Sequence, residues 1–133
     1  MGFCSQCQHK LRMYFTSDSI ISASLNYYTT HPKEKDKLLR ATYYTGMARS
    51  DIGHNEEALE LSLKAGTMAK ELGNKNMEME AYIYTAYIHG LANNFRQALR
   101  YEFKALDIAK ATGNKRREGF CYNELCSYYE LMG

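Results

Sequence analysis

The chain has little proline, no tryptophan and no excess of charge of either sign. Its one proline among 133 residues is Pro32, so long segments are free to form helices. Seventeen lysines and arginines are balanced by 15 aspartates and glutamates, which leaves a formal net charge of +2. So small a net charge gives no broad electrostatic attraction for nucleic acid. The short basic cluster at residues 115–117 is interpreted as the solvated start of a helix.

Long hydrophobic runs are also absent. No segment approaches the ~18 consecutive apolar residues of a membrane span, and no apolar signal-peptide core follows Met1. The sequence therefore predicts a soluble chain without a membrane helix or an export signal. As written the chain is expected in the cytoplasm, with the periplasm as the alternative if it is a segment excised from a longer sensor, so the compartment stays open.

Catalytic and metal-binding signatures are missing as well. The sequence contains no Gly-rich phosphate loop, nucleophile elbow or HExxH motif, so we expect no enzyme, no catalytic residue and no cofactor. Cys4 and Cys7 have the spacing of a redox motif or of half a zinc site, but a zinc site needs about four ligands. Cys121 and Cys126 occupy positions that small residues hold elsewhere in the chain. The cysteines are interpreted as structural or incidental, with a metal or redox role as the alternative, and no metal site is predicted.

What the chain does contain is an internal repeat. Residues 55–75, NEEALELSLKAGTMAKELGNK, return as residues 95–115, FRQALRYEFKALDIAKATGNK. The identical pairs are Ala58/Ala98, Leu59/Leu99, Lys64/Lys104, Ala65/Ala105, Ala69/Ala109, Lys70/Lys110, Gly73/Gly113, Asn74/Asn114 and Lys75/Lys115, each 40 residues apart. A fixed period between about 20 and 50 residues is typical of architectures that stack one structural unit on the next.

The spacing of apolar residues predicts helices throughout. Apolar side chains recur at intervals of three or four residues over about 3–14, 18–30, 34–52, 56–72, 75–92, 95–112 and 116–132. His31 and Pro32 end the second segment, because the residue before proline is excluded from the helical region. Gly53, Gly73 and Gly113 end later segments, since glycine tolerates the left-handed backbone at a helix end.

Small residues recur at the same period. Ala41, Ala81 and Cys121 share one position, Gly46, Ala86 and Cys126 share another, and Ala58/Ala98 and Ala65/Ala105 lie on the second helices. Helix axes approach to roughly 8 Å only where the side chains at the crossing are small. The pattern therefore predicts antiparallel helix pairs in which these small residues are buried at the crossings.

These residues resemble the tetratricopeptide repeat. The matching positions are Gly46, Gly53, Ala58 and Ala65 in one unit and Ala86, Asn93, Ala98 and Ala105 in the next. The resemblance implies an all-α fold in which antiparallel helix hairpins stack as a right-handed superhelix, or α-solenoid. It implies one domain over residues 1–133, with a partial unit at about 1–32, full units at 34–73 and 74–113, and only a first helix at 114–133.

The resemblance also implies a function. Residues 16–48 resemble the sensor region of bacterial tetratricopeptide-repeat regulators, and first helices in this family line a concave groove. Here the groove residues would be Arg40, Tyr43, Tyr44, Met47, Glu80, Ile83, Tyr84, Tyr87, Asn123 and Glu124. Tyrosine provides large contact area at low entropic cost, which favours a protein- or peptide-binding scaffold within a signalling or regulatory protein. The alternative is that several of these tyrosines pack between neighbouring helices.

The last predicted helix supports a second hypothesis. Apolar residues surround it on more than one face, although terminal repeats normally have a polar outer side. Either a following helix has been removed or this face pairs with another copy of the chain. The residues expected in such a homodimer are Phe120, Tyr122, Tyr128, Tyr129 and Met132. The rival function is therefore a structural module whose main partner is itself.

Overall fold

The computed structural model describes residues 34–133, which form five α-helices. The helices are α1 (Lys35–Asp51), α2 (Asn55–Leu72), α3 (Lys75–Leu91), α4 (Phe95–Ala111) and α5 (Lys115–Met132). No strand occurs within this range, so the described part of the chain is all-α as predicted. Every predicted helix boundary after residue 33 is confirmed to within one residue. The helices predicted at 3–14 and 18–30, and with them the partial unit at 1–32, lie outside the described residues.

The chain divides into two compact units, Met1–Leu61 and Ser62–Gly133. The described part of the first unit holds α1 and the start of α2. The second unit holds the rest of α2 together with α3, α4 and α5. Within this second unit α3 packs against α4, and α4 packs against α5. None of the helices in residues 34–133 combines the length and the apolar character that crossing a membrane requires.

The 40-residue period of the sequence is present in the backbone. Helices α1, α3 and α5 begin at residues 35, 75 and 115, and α2 and α4 begin at residues 55 and 95. Backbone φ is positive after α2 and α4, at Gly73 (72°) and Gly113 (68°), and after α1, at Gly53 (88°). The equivalent residue after α3 is Asn93, at 59°, because asparagine tolerates the left-handed region better than other side chains.

The Gly-Asn-Lys junctions join one helix to the next in the same way twice. In the first copy the Asn74 amide donates to the Ala69 carbonyl at 2.8 Å, which closes the end of α2. The Asn74 side chain then accepts from the Met77 amide at 3.1 Å and caps the start of α3. Asn114 caps α5 in the same way, by accepting from the Arg117 amide at 3.1 Å. The asparagine thus serves as an N-cap, a role that was not predicted from the sequence.

Most of the small residues predicted at helix crossings are buried, but Ala41 is only partly buried. Ala58, Ala65, Ala98 and Ala105 are all 0% exposed. In the second unit, a methyl group added to Gly66 would lie 3.6 Å from the Ala81 Cβ, so α2 and α3 approach closely there. Cys126 differs from the equivalent Ala86, because it is exposed on α5.

The core of the second unit lies between α3, α4 and α5. Its buried members are Met79, Ala86, Ala98, Leu99, Ala105, Leu106, Ala109, Cys121, Leu125 and Tyr128. Full burial of a side chain such as Met79 or Leu106 contributes about 1.5–3 kcal/mol to stability. This core fixes the relative positions of α3 and α5, the two helices that carry most of the predicted site residues.

Candidate functional site

Six predicted groove residues of the second unit lie on α3 and α5 and define what we call the tyrosine–acid surface. They are Glu80, Ile83, Tyr84 and Tyr87 on α3, and Asn123 and Glu124 on α5. Residues 80, 84 and 87 follow helical spacing and therefore share one face of α3. Tyr87 is 45% exposed, whereas Ile83 packs against the hydrophobic core.

Two tyrosine rings on this surface pack against each other. The Tyr84 and Tyr87 rings lie 5.5 Å apart at an angle of 37°. Tyr84 is partly buried, so it restricts the rotation of the more exposed Tyr87 ring. A ring held in this way offers contact area to a partner with little further loss of side-chain entropy.

An ion pair connects α5 to α3 beside the tyrosines. Arg117 donates from Nε to Glu80 Oε2 at 2.7 Å and from Nη2 to Glu80 Oε1 at 2.8 Å. Both side chains are 25% exposed, and the guanidinium carbon lies 5.0 Å from the centre of the Phe120 ring. The paired geometry makes this contact stronger than a single surface ion pair. The basic cluster at residues 115–117 was interpreted only as a solvated helix start, so this role of Arg117 was missed.

A buried carboxyl group lies behind the tyrosine–acid surface, at Glu102 on α4. Glu102 is 0% exposed, and neither carboxylate oxygen has a hydrogen-bond partner of ordinary geometry within residues 34–133. One repeat earlier, the equivalent residue is Ser62, to which the Thr85 hydroxyl donates at 3.2 Å. The equivalent of Thr85 is Leu125, which has no polar group. The second copy of the repeat therefore has a larger, acidic side chain at the position where the first copy has two hydroxyl groups that hydrogen-bond to each other.

The surroundings of Glu102 disfavour its ionised form. Burial raises the pKa of Glu102 to about 7, and the nearby Glu124 charge acts in the same direction. The Cys121 thiol, a weak donor, and the Arg117 charge lower this pKa only in part. Burial and Glu102 together raise the pKa of the Cys121 thiol to about 12. Glu102 was not predicted, because a single acid on a helix gives no sign of which face is buried.

Tyr128 links the buried acid to the surface. It is 6% exposed, and a methyl group added to Gly90 would lie 2.9 Å from its Cε1, so its ring packs closely on the α3 backbone. Burial first, then the charges of Glu102 and Glu124 and the ionisation of Tyr87, raise the pKa of the Tyr128 hydroxyl. Tyr128 thus packs against α3, and its hydroxyl is influenced by the buried Glu102 and by Glu124.

The other residues predicted for self-association remain on the surface of α5. Phe120 is 37% exposed, Tyr122 45%, Tyr129 54% and Met132 44%. The Lys110 ammonium lies 5.6 Å from the centre of the Tyr122 ring, which covers part of that side chain. Tyr128, in contrast, belongs to the core of its unit.

Four predicted groove residues lie on α1, in the first unit. Tyr43 is buried at 8% exposure and Tyr44 is 48% exposed, with ring centres 5.3 Å apart in an edge-on arrangement. Arg40 is exposed and Met47 is partly buried. The first unit thus also presents one exposed tyrosine beside a buried one.

Cysteines and possible metal ligands do not come together within the described range. Cys121 and Cys126 are both free thiols, while Cys4 and Cys7 lie outside the described residues. No group of three or more His, Cys, Asp or Glu side chains is placed to hold a metal ion in residues 34–133.

Neither a scan against protein-family models nor a search of curated proteins finds a match for this chain.

Proposed function

We propose that the chain is a protein- or peptide-binding scaffold of the tetratricopeptide type, and that the tyrosine–acid surface contacts the partner. The proposal assigns binding and no catalysis. On the same resemblance, the scaffold belongs to a bacterial signalling or regulatory protein and arranges its hairpins as a right-handed superhelix. Tyr44 and Arg40 are proposed separately as contact residues of the first unit.

The observation that carries the proposal is the pairing of tyrosines on α3. Tyr87 exposes 45% of its surface, while its ring packs at 5.5 Å from the partly buried Tyr84. Exposed aromatic side chains that are held in place are the residues that most often dominate binding energy. The ion pair between Arg117 and Glu80 and the core beneath it keep α3 and α5 in a fixed arrangement, which lowers the cost of binding further.

A peptide-display selection on the purified protein tests the proposal. We expect enriched peptides whose affinity falls about 30-fold in Tyr87→Ala, because loss of an aromatic anchor costs about 2 kcal/mol. Tyr122→Ala is a matched control, since Tyr122 is equally exposed at 45% but lies on another part of the second unit. Binding that survives Tyr87→Ala, or a selection that enriches nothing, would refute the proposed function. Tyr43 is unsuitable for this test because it is buried.

Self-association through α5 is the second candidate function. The observation that favours it is the exposure of Phe120, Tyr122, Tyr129 and Met132 on this helix. Sedimentation velocity over a wide concentration range would show a dimer that Tyr129→Ser weakens. A chain that sediments as a monomer at every concentration would refute this candidate.

A further inference from the structure

One cationic side chain of the protein, Arg117, already binds between α3 and α5. Near the start of α5, the Arg117 guanidinium binds both oxygens of Glu80 on α3, at 2.7 and 2.8 Å. The guanidinium also lies over an aromatic ring, that of Phe120. Carboxylate and ring together are a common environment for a basic side chain.

Further along the same two helices, the same kinds of groups occur without a cation. Glu124, two helical turns after Arg117, is partly buried and has no ion pair within residues 34–133. Tyr87, two helical turns after Glu80, exposes 45% of its surface. Glu124 lies one helical turn before Tyr128 on α5, and Tyr87 lies one turn before Gly90, the α3 residue on which the Tyr128 ring packs. Glu124 and Tyr87 are separated by 37 residues, as Arg117 and Glu80 are, so the two helices bring a carboxylate and a tyrosine to the same level one step further along.

A second and independent observation points to a missing cation. Glu102 on α4 is fully buried, and apart from the weak Cys121 thiol donor its carboxylate oxygens have no hydrogen-bond partner of ordinary geometry within the described residues. The charged or titratable groups that act on it all come from α5, namely Cys121, Glu124, Arg117 and Tyr128. Of these only Arg117 is positive, and it is already paired with Glu80. Whenever Glu102 is ionised, its negative charge therefore has no cation of its own among these groups.

We propose that a basic side chain of the bound peptide, Arg or Lys, docks between α3 and α5 against Tyr87 and Glu124, in front of Glu102. The inference rests on the proposed function and names the chemistry of its partner. The tyrosine ring contacts the aliphatic stem and the face of the cation, and Glu124 accepts its hydrogen bonds. Glu102 acts through the low-dielectric core rather than by direct contact, since no solvent reaches it.

This arrangement couples binding to a proton. Because burial disfavours the ionised form of Glu102, a neighbouring cation favours its deprotonation, and by linkage deprotonation favours the cation. Binding is therefore expected to release a proton from the protein near pH 7 and to strengthen as the pH rises from about 6 to about 8.

The test uses peptides from the display selection, each with its basic residues changed singly to glutamine. One such change in the peptide, or Glu124→Gln in the protein, is expected to weaken binding by about tenfold or more. Calorimetry at pH 7 in phosphate and in Tris buffers measures the released proton, which we expect Glu102→Gln to abolish. Glu130→Gln, an exposed change of the same charge on α5, is the control and should leave affinity and proton release unchanged.

The outcomes separate this inference from the proposed function. Selected peptides that share a basic residue and lose affinity in Glu124→Gln, with proton release lost in Glu102→Gln, would support both. Peptides that depend on Tyr87 but tolerate loss of their basic residues, or that bind without proton release, would overturn the inference and leave the scaffold proposal standing. An absence of Tyr87-dependent peptides would overturn both.

Discussion

The free energy of unfolding is expected to depend on pH through Glu102. The substitution Glu102→Gln removes the titrating group and keeps nearly the same shape. In the folded chain Glu102 is 0% exposed and has no hydrogen-bond partner of ordinary geometry within residues 34–133, so ionisation is penalised there and not in the unfolded chain.

The sign and size of the effect follow from the pKa of Glu102. Burial raises this pKa from the ordinary value of 4.5 to about 7 in the folded state. Below pH 4.5 the carboxyl is protonated in both states, so the ionisation of Glu102 does not reduce the free energy of unfolding. Between pH 4.5 and about 7 the unfolded chain loses the proton while the folded chain keeps it, so stability falls as the pH rises. At about 1.4 kcal/mol for each pH unit, the loss approaches about 3 kcal/mol and then levels off above the folded-state pKa.

Urea denaturation followed by circular dichroism, at intervals from pH 4.5 to 8, measures this loss. Each variant is compared with the wild-type protein at the same pH, so the titration of other groups cancels. We expect the stability of Glu102→Gln relative to wild type to increase with pH across this window. The exposed Glu130→Gln should follow the wild-type curve. Parallel curves for Glu102→Gln and wild type would refute the reasoning, because they would mean that the buried carboxyl does not titrate differently on folding.

Five further substitutions, two of them controls, test the packing and the helix ends. Gly90→Ala should destabilise the protein by about 1–3 kcal/mol in urea denaturation, because the new methyl group would lie 2.9 Å from an aromatic ring on α5. Gly119→Ala, which meets nothing within 4 Å, should instead stabilise by about 0.5–1 kcal/mol. Asn114→Ala should cost about 1 kcal/mol by removing a helix cap, whereas Asn94→Ala, which removes no side-chain cap, should cost much less. Ala98→Leu should destabilise the protein by about 1–3 kcal/mol and lower the melting temperature, because the larger side chain overpacks the helix crossing. An unchanged melting temperature would contradict the burial of Ala98 at 0% exposure.

The positions of the helices could be predicted because their signals are local. Gly73 and Gly113 adopt positive φ, a preference that belongs to glycine itself. Asn74 caps a helix by accepting a hydrogen bond from an amide three residues away. Backbone preference and short-range hydrogen bonding operate within a few residues, so a repeated sequence produces repeated boundaries. The burial of Ala58 and Ala98 was predictable because small residues that recur at a fixed period indicate positions where helices approach closely.

The function-bearing details depended on contacts between distant residues. Tyr43 and Tyr44 are adjacent and chemically identical in sequence, yet one is buried and the other is 48% exposed. Arg117 pairs with Glu80 across 37 residues, and the buried Glu102 has Leu125 at the position that Thr85 holds for Ser62 one repeat earlier. Helices α3 and α5 carry aromatic residues on several faces, so the sequence pattern identifies no single inner side. The packing of α3, α4 and α5 together determines which face of each helix contacts a neighbour. The burial of each side chain and the pKa of each ionisable group depend on that packing, so the sequence of one helix does not determine them.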